Sequence, residues 1–320
     1  MIIQLSPESA RSTRRIATRT VLAFAVLAST VCLVAPFDAS ASSKSRVIVA
    51  VGAESEYANV LGQIGGKYVA VSSILNDPNT DPHTFEASPS VAEEIGRAQL
   101  VVQNGVGYDG FVNRIEAASP NPQRMVIVAQ KVLGLPSDTA NPHLWYSPKT
   151  MPAVARVIAR DLETLDPSHA AYFQSHLAAF DTSLQPWLRA IAAFKVKYPG
   201  TAVAVTEPVA DDLLKAMGAR ILTPFVFQAD IMNGVDPAPE DISLEEGFFT
   251  KHEAKVFCYN QQVVDSLTLT IKQSAQSAKV PVVGVYETMP TPGYDYQSWM
   301  LAEVKAIETA VTRHRSTEKL

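Results

Sequence analysis

The stretch from residue 166 to residue 200, DPSHAAYFQSHLAAFDTSLQPWLRAIAAFKVKYPG, decides the fold, because it separates two series of alternating strands and helices. Apolar side chains recur in it at three- and four-residue steps, which indicates one face of a helix. These side chains belong to Leu177, Phe180, Leu184, Leu188 and Ile191. We predict a long helix from Asp166 to about Lys195, with a kink at Pro186, because proline cannot donate a backbone hydrogen bond.

An alternating strand and helix pattern stands on either side of this helix. Before it, strand-like runs lie at 46–51, 69–74, 100–102 and 125–128, and helical patterns at 54–64, 90–98 and 110–118. After it, strand-like runs lie at 202–205, 256–259 and 280–285, and helical patterns at 210–217, 244–252, 265–278 and 297–313. Such alternation predicts parallel sheets covered by helices. We expect an α/β protein of two similar lobes, each a parallel sheet flanked by helices, joined by one long backbone helix. A single doubly wound domain with a helical insertion is the alternative.

The N-terminus is typical of an export signal. Four arginines between residues 11 and 19 precede an uncharged apolar run at 21–34, and the small residues 39–41, Ala-Ser-Ala, follow. The apolar run is too short to span a bilayer comfortably, but it suits a signal peptide. We predict a signal peptide at 1–41 cleaved near Ala41, an N-terminal lobe at 42–165, the long helix at 166–197 and a C-terminal lobe at 198–320. The protein is then periplasmic, and an uncleaved membrane anchor is the alternative.

Composition and charge exclude several classes of protein. The 320 residues carry a net charge of −5, which argues against a nucleic-acid partner, because a phosphate backbone requires a basic surface. Two cysteines form neither a disulfide framework nor a thiolate zinc site. After cleavage only Cys258 remains, and its apolar setting favours a buried, unreactive thiol.

Two of the six histidines stand in similar stiff loops. His83 lies in Asp-Pro-His-Thr-Phe and His143 in Asn-Pro-His-Leu-Trp, so each follows a proline and precedes an aromatic residue by two positions. Proline restricts its own φ and the residue before it, so such a loop can aim an imidazole. We interpret the pair as a metal site. The other four histidines, for which a solvated or partly packed position is the simpler reading, are His169, His176, His252 and His314.

Two acidic residues in the second half directly follow strand-like runs. Glu207 comes after the run at 202–205, and Glu287 comes after the run at 280–285. Ligands bind at the carboxyl ends of strands in open α/β sheets, and a cation held by two imidazoles needs anionic oxygen to complete its shell. Position alone leaves a metal ligand and an ordinary solvated loop acid equally open.

The chain resembles the exported metal-binding receptors of bacterial ABC importers, the zinc- and manganese-specific class of solute-binding proteins. The resemblance covers essentially the whole mature chain. The stretches that carry it are DPHTFE at 81–86, NGVGYD at 104–109, NPHLW at 141–145, the helix opening at Asp166-Pro167, DPAPED at 236–241 and VPVVGV at 280–285.

The resemblance implies one metal site with four ligands, two from each lobe. The family's two histidines fall on His83 and His143. Its third ligand is histidine or glutamate, and Glu207 stands there. Its fourth is usually aspartate, and Glu287 stands there instead, with Asp295 as a fallback ligand.

One divalent transition metal ion, Zn²⁺ or Mn²⁺ with Fe²⁺ as a further candidate, is the expected cargo. Monodentate carboxylates would favour tetrahedral Zn²⁺, and bidentate carboxylates would favour Mn²⁺ or Fe²⁺. Many zinc receptors of the class carry a histidine-rich loop in the first lobe. Residues 106–140 contain no histidine, which together with Glu207 leans towards manganese.

A shell closed by four protein ligands argues for a receptor and against an enzyme, because catalytic zinc usually keeps an open position. The implied partner is an ABC-type metal permease in the inner membrane. We expect a monomer that binds no organic substrate. Two alternatives remain open. One is an exported metallohydrolase with Glu207 or Glu287 as general base, and the other is a surface adhesin on the same scaffold.

Overall fold

The computed structural model describes residues 47–290 and 292–320. The predicted signal peptide at 1–41 lies outside the described residues, so its cleavage site stays a prediction. In the described part, the chain forms two parallel four-stranded sheets flanked by helices, which confirms the predicted fold class. No helix there is both long enough and apolar enough to cross a bilayer.

The first sheet contains β1 (Ile48–Glu54), β2 (Val69–Leu75), β3 (Leu100–Gln103) and β4 (Met125–Val128). All neighbours pair in parallel, in the order β2-β1-β3-β4. The chain runs from β1 to β2 on one side and later to β3 on the other side of β1. Because these connections leave in opposite directions, a crevice opens beyond the carboxyl ends of β1 and β3.

The second sheet repeats this topology. It contains β5 (Ala202–Val205), β6 (Arg220–Ile221), β7 (Val256–Asn260) and β8 (Val282–Val285), in the order β6-β5-β7-β8. Strands β5, β7 and β8 are buried along their whole length, which explains their continuous apolar sequences. The C-terminal tail extends this sheet, because Thr317 bridges to Val283 beside β8.

Helices cover both sheets. The first seven are α1 (Ser55–Gly65), α2 (Pro89–Arg97), α3 (Gly110–Ala118), α4 (Ala129–Val132), α5 (Thr150–Leu165), α6 (Ala170–Ser183) and α7 (Gln185–Lys197). The other five are α8 (Asp211–Ala216), α9 (Phe225–Met232), α10 (Pro239–Thr250), α11 (Ser266–Ser277) and α12 (Tyr296–Arg313). Helix α1 packs against α5 and α6, and α12 packs against α7.

The long helix is divided where the sequence places a proline. A 3₁₀ turn at Pro167–His169 precedes α6, and regular helix is interrupted at Leu184 before α7 begins. Pro186 lies in the first turn of α7, where its missing N–H costs least. One buried apolar cluster contains Phe180 and Trp187 of these helices together with core residues of both sheets, so α6 and α7 connect the two halves.

Candidate metal centre

The four predicted ligands lie in loops that follow strands. His83 lies in a 3₁₀ turn after β2, and His143 directly precedes another such turn after β4. Glu207 and Glu287 lie two residues beyond the ends of β5 and β8. The carboxyl ends of parallel strands meet at one edge of a sheet, which is why these loops are available to bind a ligand.

Three of the four predicted ligands meet at a single carboxylate oxygen. Nε2 of His83 and Nε2 of His143 each lie 3.1 Å from Oε2 of Glu287. One potential ligand atom from each of the three residues lies within 4.8 Å of the others. The imidazole planes are at 83° to one another, so the rings do not stack. The two histidines follow strands of the first sheet and the carboxylate follows the second, so the group joins both halves.

Glu207 reaches this group through an amide. Nδ2 of Asn260 donates to Oε1 of Glu207 at 3.1 Å and to Oε1 of Glu287 at 2.7 Å. Oε2 of Glu207 is buried and has no hydrogen-bond partner among the described residues. A buried carboxylate oxygen without a partner is costly, so this atom is available to bind a further group.

Asn141 fixes which nitrogen of His143 can bind an ion. Its Oδ1 accepts from the backbone N–H of His143 at 3.0 Å and lies 2.8 Å from Nδ1 of the same residue. Because a carbonyl oxygen only accepts, the hydrogen stands on Nδ1 and Nε2 faces Glu287. The same amide donates to the carbonyl of Pro208 at 2.9 Å, next to Glu207.

Tyr108 closes one side of the site from a strained loop. Its hydroxyl donates to Oε2 of Glu287 at 3.0 Å, and its ring meets both histidine rings edge to face. The loop before it holds three successive residues with positive φ, and the middle one is the β-branched Val106 at 57°. Asp109 secures the loop by accepting from two backbone N–H groups, those of Asn104 and Gly105, at 2.5 and 3.0 Å.

Gln262 connects the loop that carries His83 with the loop that carries Glu287. Its Oε1 accepts from the backbone N–H of Glu287 at 2.7 Å and that of Thr288 at 2.8 Å. Its Nε2 donates to the carbonyl of Thr80 at 2.8 Å, three residues before His83. A single buried side chain therefore links the loop after β2 to the loop after β8.

The two carboxyls differ in their electrostatics. Burial opposes ionisation of Glu287, but the charges and hydrogen bonds of His143 and His83 outweigh it and hold the pKa of this carboxyl below its usual range. Burial, and then the charge of Glu287, raises the pKa of Glu207 well above its usual range. For His83, burial lowers the pKa, but the hydrogen bond and charge of Glu287 dominate and raise it. The directions of these shifts favour the ionised form of Glu287 and the protonated form of Glu207.

The remaining candidates lie outside the group. The carboxylate of Asp295 caps α12 by accepting from the backbone N–H of Ser298 at 2.8 Å, so this fallback ligand is already engaged. His169 pairs with Asp166, and Nδ1 of His176 lies 2.8 Å from the carbonyl of Gln63. The last two histidines, His252 and His314, are exposed.

Sequence reasoning did not identify Tyr108, Asn260 or Gln262 as site residues. A usable signal existed for two of them, because Asn260 and Gln262 come directly at the end of an apolar strand, as Glu207 and Glu287 do. Tyr108 lies within a stretch that carries the family resemblance, but no residue type in it suggests a metal ligand.

The fold and this arrangement of side chains are those expected of the metal-binding solute-binding proteins of ABC importers. The chain belongs to the family described as zinc-uptake complex component A, periplasmic (ZnuA), whose model matches residues 36–310. The predicted resemblance is therefore confirmed. The family description names a component of an uptake complex.

Curated relatives match part of the chain. The manganese-binding lipoprotein MntA of Bacillus subtilis is 26% identical over 155 residues, which are 46% of this chain and 50% of that protein. The zinc-binding protein TroA of Treponema pallidum is 22% identical over 152 residues, 46% of this chain and 48% of that protein. The chain thus spans about half the length of these relatives.

Solved structures match the fold over most of the chain. Periplasmic zinc-binding TroA from Treponema pallidum has a TM-score of 0.70 at 14% identity, covering 84% of this chain and 99% of that one. A crystal structure of ZnuA gives 0.68 at 20% identity, with 83% and 100% covered. FpvC from Pseudomonas aeruginosa, in complex with Mn²⁺, gives 0.67 at 22% identity, with 84% and 99% covered. At these identities the likeness shows the two-lobe fold.

Proposed function

We propose that this protein captures one divalent transition metal ion, zinc or manganese, between its two lobes and delivers it to an ABC-type permease in the inner membrane. The observation that carries the proposal is the convergence of His83 and His143, from loops of the first sheet, on Oε2 of Glu287 from the second. Two imidazole nitrogens and carboxylate oxygens in a buried group suit such cations.

The ligand set is proposed to be His83, His143, Glu207 and Glu287. His83, His143 and Glu287 lie together in one group. Glu207 is connected to that group through the amide of Asn260, and its Oε2 has no partner among the described residues. An ion bound by all four would link loops of both lobes and stabilise the closed arrangement by linkage. Release at the permease then requires the lobes to separate.

The relatives support both candidate ions. MntA is named a manganese-binding lipoprotein, and TroA is named a zinc-binding protein. The family description names zinc uptake.

We propose that the mature protein begins near Ser42, acts in the periplasm as a monomer and binds no organic substrate. The lobe boundaries 42–165 and 198–320, with the helix at 166–197 between them, belong to the same proposal.

Metal titration of the purified mature protein tests the ligand set. We expect one tight site for Zn²⁺ and Mn²⁺ in the wild type. His143→Ala should weaken binding by about 100-fold or more, because loss of a residue that merely orients a metal ligand already lowers affinity by about 10- to 100-fold. His252→Asn is the matched control, because His252 is exposed and its positive φ is tolerated by asparagine. Equal affinity and stoichiometry in His143→Ala and the control would overturn the proposed site.

A further inference from the structure

We infer that Asn260 is a positioning residue that biases this site towards four-coordinate zinc, by holding one oxygen of each ligand carboxylate and so favouring binding of the ion through the other oxygen alone. This inference rests on the proposed function, because it presumes that Glu207 and Glu287 bind the metal.

The orientation of the Asn260 side chain is fixed by its surroundings. The residue is fully buried, and its Oδ1 accepts from the backbone N–H of Gln262 at 3.0 Å. The NH₂ group must therefore face the two carboxylates. Its two hydrogens have two acceptors, Oε1 of Glu287 at 2.7 Å and Oε1 of Glu207 at 3.1 Å. Both amide hydrogens therefore have a partner without any ligand.

The strand order explains why one amide can reach both acids. Asn260 is the last residue of β7, and β7 lies between β5, which precedes Glu207, and β8, which precedes Glu287. In the register, Asn260 is opposite Val285 of β8. Thr206 adds a further anchor, because its hydroxyl accepts from the backbone N–H of Asn260 at 3.0 Å. The donor is thus held at the end of a buried central strand and cannot move aside easily.

The free oxygens set the coordination number. Oε2 of Glu287 faces both imidazoles, and Oε2 of Glu207 has no partner among the described residues. The hydroxyl of Tyr108 also donates to Oε2 of Glu287, but a hydroxyl can rotate away, whereas the amide of Asn260 is held in place on both sides. With both Oε1 atoms hydrogen-bonded to the amide, the carboxylates favour binding through Oε2 alone, which gives two nitrogens and two oxygens, the tetrahedral set that zinc prefers. Manganese prefers more oxygen ligands, which bidentate carboxylates would supply. The amide therefore opposes the lean towards manganese that Glu207 gives by itself.

Cobalt spectroscopy and a metal competition test this role. The probes are Co²⁺, whose visible absorption is intense in four-coordinate sites and weak in five- or six-coordinate ones, and the ratio of Zn²⁺ to Mn²⁺ affinity. Wild type should give the intense spectrum. Asn260→Ala should give the weak one, and its zinc-to-manganese ratio should fall by about 10-fold or more, the size typical of losing a group that orients a ligand. Asn233→Ala removes an exposed amide and is the matched control.

A second variant separates loss of the hydrogen bonds from loss of volume. Asn260→Leu keeps nearly the same size but donates nothing, so it should behave like Asn260→Ala, with thermal melting of the metal-free proteins as the check on folding. A weak spectrum in the wild type, or an unchanged affinity ratio in both variants, would overturn the inference while leaving the receptor intact. A wild type that binds none of the three ions would overturn the proposed function, and the inference with it.

Discussion

Metal binding near pH 6 should release at least two protons per ion, and Glu207→Gln should reduce that number by one. Burial and the charge of Glu287 raise the pKa of Glu207 well above its usual range, so this carboxyl holds a proton in the metal-free protein. The pKa of His83 is raised because Glu287 outweighs the opposing effect of burial, so its imidazole is also protonated there. Glu287 contributes no proton, since its pKa is lowered. Both protonated groups must lose their protons before they can bind an ion.

The size of the effect follows from the proton count. Each proton released changes the logarithm of the binding constant by one per pH unit, so release of two makes affinity rise by about 100-fold per unit near pH 6. Removing the proton of Glu207 should lower this dependence by a factor of about 10 per pH unit. The sign is the same in both proteins, because deprotonated ligands accumulate as the pH rises.

Calorimetric titration in two buffers of different ionisation enthalpy measures the proton count directly. Glu253→Gln is a suitable control, because Glu253 is exposed and lies outside the site. An identical count for Glu207→Gln and wild type would refute the reasoning, since it would mean that Glu207 is already ionised or does not bind the ion.

Three further perturbations follow from buried contacts. Burial raises the pKa of Glu303 to about 8, so the unfolding free energy of wild type should fall as pH rises from about 4.5 to about 8. Relative to wild type, Glu303→Gln should gain up to about 1.4 kcal/mol of unfolding free energy per pH unit over that range, measured by denaturant unfolding. Identical pH dependences of the two proteins would contradict this. Gln262→Glu keeps the acceptor for the backbone N–H of Glu287 but loses the donor to the carbonyl of Thr80. A chelator should therefore remove metal about 2- to 10-fold faster, measured by stopped flow. An unchanged rate would show that the hydrogen bond between Gln262 and Thr80 does not hold the site closed. Phe180→Ala empties a buried site between the halves and should cost about 3–5 kcal/mol of unfolding free energy; a loss below about 1 kcal/mol would show that the site collapses.

Periodicity was sufficient for most of the fold. The strands Met125–Val128 and Ala202–Val205 and the helix Gly110–Ala118 begin and end where the sequence predicts. These segments are buried on regular faces, so their apolar spacing follows the backbone geometry. The division of the long helix at Leu184 likewise follows from the chemistry of Pro186.

Helix α5, Thr150–Leu165, was missed although its sequence carries the signal. Met151, Val154, Ile158 and Leu162 are buried at three- and four-residue steps. Pro152 reads as a helix breaker in the sequence, but it lies in the first turn, where no backbone donor is needed. Only the structure shows which end of the helix that proline occupies.

The site shows a different limit. Motifs and the family resemblance pointed to His83, His143 and Glu287, and the structure brings these three together, although metal binding by them stays a prediction. The position of Asn260 at the end of an apolar strand could have marked it as a candidate, but its contacts with both carboxylates depend on strand order, and those of Tyr108 depend on a strained loop. Nothing local in the sequence says that β7 lies between β5 and β8.

The most direct test of the account is an anomalous difference map from crystals of the mature protein grown with zinc. We expect one strong peak between the lobes, about 2.0–2.1 Å from Nε2 of His83 and of His143 and about 2.0–2.2 Å from a single oxygen of each of Glu207 and Glu287. A peak that these four side chains do not share, or no peak in the crevice, would contradict it.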